Sequence, residues 1–377
     1  MTPRSSLTPT AHPAGARRRE ALRAALRAAD LDALLVTDLV NVRYLAGFTG
    51  SNAALLVDAA DAPGDEGRTV LATDGRYTTQ ASAETPELPL LVERECGPAL
   101  LHALASGVVG FDSAQVTVDA LDTLTAATGA ELRRAPGLVE RLRAVKDDDE
   151  VDALRLACAA ADAALAGAIA AGVLAPGRTE RDVARELEER MVAHGASGPS
   201  FETIVAAGGN SAIPHHRPSD APLAAGDLVT MDFGALVDGY HSDMTRTVLL
   251  GPAGAVADWQ REIYALVDAA AAAGRAALRP GVATSEVDGA AREVITAAGY
   301  GEQFVHPVGH GVGLVIHEAP AMGATATATL EAGMTVTVEP GVYLPGRGGV
   351  RIEDTLVVTG SGAEPLTASP RDLLVLG

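Results

Sequence analysis

Cysteine is nearly absent from these 377 residues. Cys96 and Cys158 stand alone, with neither the paired spacing of a zinc site nor the density of a disulfide framework. A reducing compartment follows, and the cytoplasm is the expected location. Long apolar runs are missing too: none reaches the roughly 18 residues needed to span a bilayer. The opening MTPRSSLTPTAHPAGARRRE carries basic residues without an apolar stretch behind them, so it does not read as a secretory signal. Residues 1–15 are expected to be a disordered lead, and the arginines at 17–19 to start a solvated helix. Positive charge is in deficit, with a formal net charge of −20. That excludes a general nucleic-acid binder and fits poorly with an anionic membrane surface.

What is present is a globular composition, 47 % apolar and 21 % charged, long enough for two domains. Apolar strands at 33–37, 53–57, 69–73 and 108–112 alternate with helical patterns at 17–29, 74–84 and 116–128. This predicts a small α/β layer domain over residues 16–140. The Gly-punctuated NVRYLAGFTGSNAALLVD reads as a loop entering the second strand. A second domain is expected over 141–377, opened by a long helix with Asp147 as N-cap and Glu150 three residues on.

Within that second domain the chain nearly repeats itself. PGRT at 176–179 and PGVAT at 280–284 each lead into a helix, and the two starts lie 104 residues apart. Each helix is followed by a hairpin bearing two acidic residues. In LVTMDFGALVDGYHSDMTRTVLL (228–250), Asp238-Gly239 tolerates the positive φ of a tight turn. With that turn, Val237 faces Tyr240 and Asp232 faces Thr245, and Asp232 and Asp243 emerge on one face. In MTVTVEPGVYLPGRGGVRIEDTLVV (334–358), Thr335, Thr337 and Glu339 share one face, as do Arg351, Glu353 and Thr355. Asp232 to Glu339 spans 107 residues and Asp243 to Glu353 spans 110, close to the helix offset. One internal duplication accounts for all three offsets, and the α+β domain it predicts has pseudo-twofold halves facing each other.

Two aspartates on a hairpin are ordinarily solvated surface charges. Four carboxylates brought into one cleft by duplication are not, because they repel unless a proton or cation lies between them. Two divalent ions balance the count. Oxygen ligands suit Mn²⁺, Mg²⁺ or Ca²⁺, and an imidazole shifts the preference toward Mn²⁺, Co²⁺, Zn²⁺ or Fe²⁺. FVHPVGHGVGLVIHE supplies one: His310 lies between Gly309 and Gly311, where backbone can approach closely.

The order MDFGA, SDMTRT, HPVGHGVGLVIHE, VEPGVY and VRIED resembles the "pita-bread" metallopeptidases, which include aminopeptidase P, prolidase and methionine aminopeptidase, with creatinase as a non-metal relative. The resemblance covers the chain after about residue 16. It implies an α/β creatinase-like N-terminal domain before an α+β pita-bread catalytic domain, and two divalent metal ions, Mn²⁺ favoured. Asp232 would hold one ion, Asp243 and Glu353 would bridge both, and His310 and Glu339 would hold the other. A water between the two ions would attack the scissile carbonyl, and Glu339 would carry its proton to the leaving nitrogen.

His215 in NSAIPHHRP matches the family's substrate-binding histidine, with His216 the ambiguous neighbour. His306 and His317 match substrate-pocket and proton-shuttling positions; Tyr343 and Arg351 match residues that order the pocket. The resemblance implies peptide substrates with Pro at position 2, and a homodimer. NVRYLAGFTGSNAALLVD and TDGRYTTQA are more similar to aminopeptidase P, so hydrolysis of Xaa-Pro bonds at the start of longer peptides is expected. The alternative is a prolidase confined to dipeptides. A non-catalytic peptide- or protein-binding module is the remoter one.

Overall fold

The computed structural model describes residues 13–377 apart from residues 63, 64, 253 and 255. By contacts the chain forms two units, Met1–Arg143 and Ala144–Gly377. The expected disordered lead falls, for residues 1–12, outside the described residues. Residues 13–15 belong to the first helix, Pro13–Ala28. That helix is not solvated throughout: Arg19 and Arg23 are fully buried, and both guanidinium groups converge on the Glu66 carboxylate. Buried arginines persist only when paired, and one carboxylate serves both.

The first unit is built on a six-stranded sheet. Its order is Leu90–Val92, Val70–Thr73, Ala53–Asp58, Ala33–Val36, Val108–Phe111, Glu131–Arg134. Ala53–Asp58 runs antiparallel to both its neighbours, whereas the outer pairs are parallel. One expectation fails here. Residues 39–46 are not loop but the helix Leu39–Ala46, started by the Asp38 side chain accepting from Asn41 N at 2.9 Å and ended by Gly47 at φ 79°. Asp38 gives that start a good N-cap, but eight residues are too few for a helical period to stand out beside the glycines that follow.

The second unit opens with the capping box of Asp147 and Glu150 on the 23-residue helix Asp148–Ala170. By length and composition this helix could cross a membrane, contrary to the absence of long apolar runs. Ala160, Ala161, Ala164, Leu165 and Ala168 on one face are instead buried in a core with Phe233, Met244 and Val248, and Asp162 accepts from Ser369 N at 2.8 Å.

The duplication is complete. A long helix, a short helix, a strand and a hairpin occur as Asp148–Ala170, Glu180–Ala193, Ile204–Ala207 and 228–250. They recur as Asp258–Ala277, Thr284–Ala297, Gly309–Gly311 and 334–358. Each half has its own core. Equivalent turns repeat the same bonds: Gly177 N donates to Leu223 O and Gly281 N to Leu330 O, each at 2.8 Å.

Both hairpins are interrupted at the same place. In the first, Asp238 (φ 48°) and Gly239 (φ 76°) form the turn, and the pairs Val237–Tyr240 and Asp232–Thr245 are in the expected register. The ladder nevertheless breaks at Gly234 and at Ser242–Asp243, which divides the hairpin between two sheets. In the second, Val338–Asp354 and Gly341–Arg351 share one register around a break at Glu339–Pro340 and Ile352–Glu353. Three of the four expected acidic ligands therefore lie where strand pairing stops and side chains can turn inward.

Candidate metal centre

Asp232, near the end of Leu228–Phe233, and Asp243, in the first break, meet Glu339 and Glu353 from the second. All four line one cavity of about 580 Å³ with His215, His306, His310, His317 and Arg351. Ligand atoms of Asp243, His310 and Glu353 lie within 4.8 Å of one another. His310 Nε2 is 3.5 Å from Asp243 Oδ2 and 3.4 Å from Glu339 Oε1. Its other nitrogen, Nδ1, donates to Gly311 O at 3.0 Å, which fixes the tautomer and leaves Nε2 for the cavity.

The close approach of backbone at His310 is measurable. A Cβ at Gly309 would lie 2.1 Å from Thr337 O, and one at Gly311 2.1 Å from Ala319 O. Glycine is required on both sides.

The electrostatics are those of an uncompensated cluster. Burial pushes Asp243 up to about 6 despite His310, and the charge of Asp232 adds to the shift. Burial raises Glu339 to about 7 against the attraction of His310. Glu353 is driven well above the carboxylate range by burial and then by Asp243, Glu339 and Asp232. For His310, burial works downward, but the Asp243 contact and the Glu339 charge win and raise it to about 9. Asp232 Oδ1 is buried without a hydrogen-bond partner among the described residues. An orphaned carboxylate oxygen beside three carboxylates and one imidazole nitrogen is the donor set that hard and borderline divalent ions take. The residues fit a metal centre.

Around these ligands lies a hydrogen-bonded frame. Thr245 Oγ1 donates to Glu353 Oε2 at 2.7 Å, and Thr337 Oγ1 to Glu339 Oε1 at 3.2 Å. Arg351 is buried; it donates to Asp232 Oδ2 at 2.7 Å, to Thr245 Oγ1 at 3.0 Å and to Tyr343 Oη at 2.8 Å. The sequence pattern places Thr245 opposite Asp232 and Thr337 on the face of Glu339, without assigning either a role at the site. Period-two spacing from Asp243 and Glu339 was the signal available for both.

Two of the expected pocket residues are tied to each other. Tyr343 is buried behind the wall rather than lining the cavity. Its hydroxyl accepts a hydrogen bond from Arg351 Nη1 and donates one to His306 Nε2, each at 2.8 Å. His306 Nδ1 donates to Pro307 O at 2.8 Å, so both its nitrogens are occupied, and burial and the Arg351 charge keep it neutral by lowering it to about 4. His306 offers the cavity a ring, not a hydrogen bond.

The adjacent His215 and His216 both line the cavity but differ in what else they touch. His215 is exposed to the cavity. His216 Nε2 lies 2.8 Å from Glu180 Oε2, and Glu180 is fully buried, accepting also from Ala207 N, Asn210 Nδ2 and Ser219. His216 secures the loop that presents His215. His317 packs edge-on against His310, ring centroids 4.4 Å apart. Burial and the neighbouring His310 lower its pKa.

Residues 152–360 match metallopeptidase family M24, and residues 18–145 match the creatinase/prolidase N-terminal domain. The peptidase YqhT of Bacillus subtilis is 40 % identical over 354 residues, covering 92 % of this chain and 96 % of its own. Among solved structures, an Xaa-Pro dipeptidase from Bacillus anthracis is 38 % identical with a TM-score of 0.89, covering 96 % of this chain and 100 % of its own. An X-Pro aminopeptidase from Thermotoga maritima is 31 % identical with a TM-score of 0.84, covering 95 % and 99 %.

Proposed function

As this chain belongs to metallopeptidase family M24, we propose that it hydrolyses the bond between a first residue and proline. The observation that carries this is the meeting of four carboxylates and His310 Nε2 in one cavity. Asp232, Asp243, His310, Glu339 and Glu353 would hold two divalent ions, with Mn²⁺ favoured by the mixed oxygen and imidazole donors. When bound, such ions supply Lewis acidity and the positive charge that four carboxylates lack.

The chain's own residues do the rest. Glu339, lining the cavity beside His310, is placed to accept a proton at a carboxylate oxygen and return it to the prolyl nitrogen. Thr337 and His310 orient that carboxylate. Arg351 holds Asp232 through one oxygen and leaves the other free. His215 and His317 face the cavity from separate segments and are positioned to meet the substrate carbonyl. A prolyl bond lacks the N–H on which many peptidases rely, and polarising its carbonyl does not need that donor.

On chain length, the first-domain sequence favours longer peptides, whereas the relatives support dipeptides. The Bacillus anthracis dipeptidase is more similar than the Thermotoga aminopeptidase in both identity and TM-score. We take dipeptides as the favoured class. Two arginines line the cavity; Arg351 is occupied by Asp232, Tyr343 and Thr245, while Arg217 has only a 3.4 Å contact with Glu202 and is 83 % exposed in its side chain. Arg217 is thus the cation available to a dipeptide carboxylate. A homodimer and a cytoplasmic location complete the proposal; the two free, buried cysteines suit a reducing compartment.

The test is release of the first alanine, leaving proline from Ala-Pro and Pro-Ala from Ala-Pro-Ala, by protein stripped of metal and then resupplied with Mn²⁺ or Co²⁺. Activity is expected only after resupply. Undiminished hydrolysis by thoroughly stripped protein would overturn the metal assignment, and no alanine released from either peptide would overturn the activity.

A further inference from the structure

The chain contains one lysine among its 29 Lys and Arg residues, and that lysine is Lys146. Its side chain is wholly buried, and Nζ donates at 2.7 Å to Glu318 Oε1, itself only 8 % exposed. Lys146 is fixed from behind: its N–H donates to Gly333 O at 2.9 Å, and Val145 bridges to Met334 at the start of the second hairpin.

Glu318 begins the strand Glu318–Met322 and directly follows His317. His317 closes the bend that precedes this strand, and the two adjacent side chains have separate partners. Glu318 turns toward Lys146, and His317 turns to the cavity and the His310 ring. The second Glu318 oxygen accepts from Val315 N at 3.3 Å, closing the loop that carries His317. Space for the pair depends on Gly313, where a Cβ would lie 2.3 Å from Glu318 Oε1 and 3.0 Å from Lys146 Cε. A compact ammonium fits that space; a planar guanidinium is broader and needs more donors satisfied.

Stability alone does not account for the pair. Replacing a buried ion pair with packed apolar side chains is commonly neutral or stabilising. We propose that Lys146 is a positioning residue for the reaction: it holds Glu318, and so fixes the backbone that aims His317 at the centre. The inference rests on the peptidase activity proposed above.

The experiment compares Lys146→Met, the apolar pair Lys146→Met/Glu318→Leu, His317→Ala and the combination of His317→Ala with Lys146→Met. Each is assayed on Ala-Pro, with metal content and Tm measured on the same preparations. Lys146→Met is expected to lower kcat about tenfold or more, as misorientation does, with metal content unchanged. The apolar pair is expected to recover wild-type Tm but not kcat. In the His317→Ala background, Lys146→Met should cost nothing further, because both changes remove the same aim.

Wild-type kcat in the apolar pair, or additive losses with His317→Ala, would make Lys146 a structural staple only. If Lys146→Met does not accumulate as folded protein, Lys146→Arg, which keeps the charge, carries the same cycle and the same two outcomes. A wild type inactive on both Ala-Pro and Ala-Pro-Ala refutes the peptidase reading instead, and is told apart by that measurement.

Discussion

Arg246 on the first hairpin donates at 2.7 Å to Asp354 on the second, the residue next to Glu353. The same guanidinium donates to the backbone carbonyls of Glu353, Thr245 and Ser369. Asp354 is wholly buried and also receives Thr367 Oγ1 at 2.9 Å and Arg275 Nη1 at 3.2 Å. The two pseudo-symmetric halves are therefore joined by charge directly beneath the ligands they contribute, while Thr245 Oγ1 joins them at ligand level.

Arg246→Met should be costly for that reason. It leaves a buried carboxylate short of a cation, a change worth about 3–5 kcal/mol. Urea unfolding of the metal-free protein is the measurement, so that metal binding does not mask the loss. Burial alone would raise Asp354, but Arg246 and Arg371 hold it below 3.8. Its contribution is present above pH 3.8 and is lost as pH falls through the lower folded value.

Metal removal should invert the pH dependence of stability. Asp243 at about 6 and Glu339 at about 7 lie above the ordinary carboxylate values of 3.8 and 4.5. His310 at about 9 lies above its ordinary 6.5. In each case the folded metal-free protein binds more protons than the unfolded chain, so its stability falls as pH rises. The carboxylates act between about pH 4 and 7, and His310 between about 6.5 and 9. Stripped protein is expected to lose Tm steadily from pH 5 to 9, and Mn²⁺-loaded protein to lose much less. A stripped protein more stable at pH 9 than at pH 6 would contradict the clustering of these groups.

The ligand and contact residues should separate by metal content. Asp243→Ala and Glu353→Ala are expected to lose both metal and activity. His215→Ala should retain metal and lose rate by about 10²-fold or more, as a group that acts on the transition state does. His216→Ala is expected to lose stability, about 1–3 kcal/mol, because the buried Glu180 carboxylate gives up one partner. Metal analysis alongside kcat decides all four, and metal loss in His215→Ala with retention in Asp243→Ala would reverse the assignment.

How much of this was legible follows from how local each signal is. Asp238-Gly239 fixed the first turn, and with it the facing of Asp232 and Thr245. Period two and the repeat offset then placed four carboxylates in one cleft, and His310 came from its flanking glycines and the family resemblance; all five line one cavity. The breaks in the ladders were not legible, because the pairing register is the same on either side of each. Lys146 and Glu318, or His216 and Glu180, are partners across long stretches of chain, and no periodicity links them. The helix Leu39–Ala46 was missed for the opposite reason: its cap is local, but its length hides the period.

Arg217 gives the chain-length question a single-residue test. A dipeptide ends in a carboxylate one residue past the scissile bond; a tripeptide has a neutral amide there and its charge farther out. Arg217 lines the cavity and is held only by Glu202 at 3.4 Å, with both side chains largely exposed. An exposed pair of this kind is weak and easily exchanged for a better-placed anion. Arg217→Ala should therefore raise KM for Ala-Pro about three- to tenfold, with little change for Ala-Pro-Ala, and the difference should shrink at high salt. Glu202→Gln, which frees the guanidinium, should lower KM for Ala-Pro. Equal effects on the two peptides would mean that Arg217 does not read the carboxylate. A wild-type preference for Ala-Pro-Ala would return the protein to the aminopeptidase class that its first domain suggests.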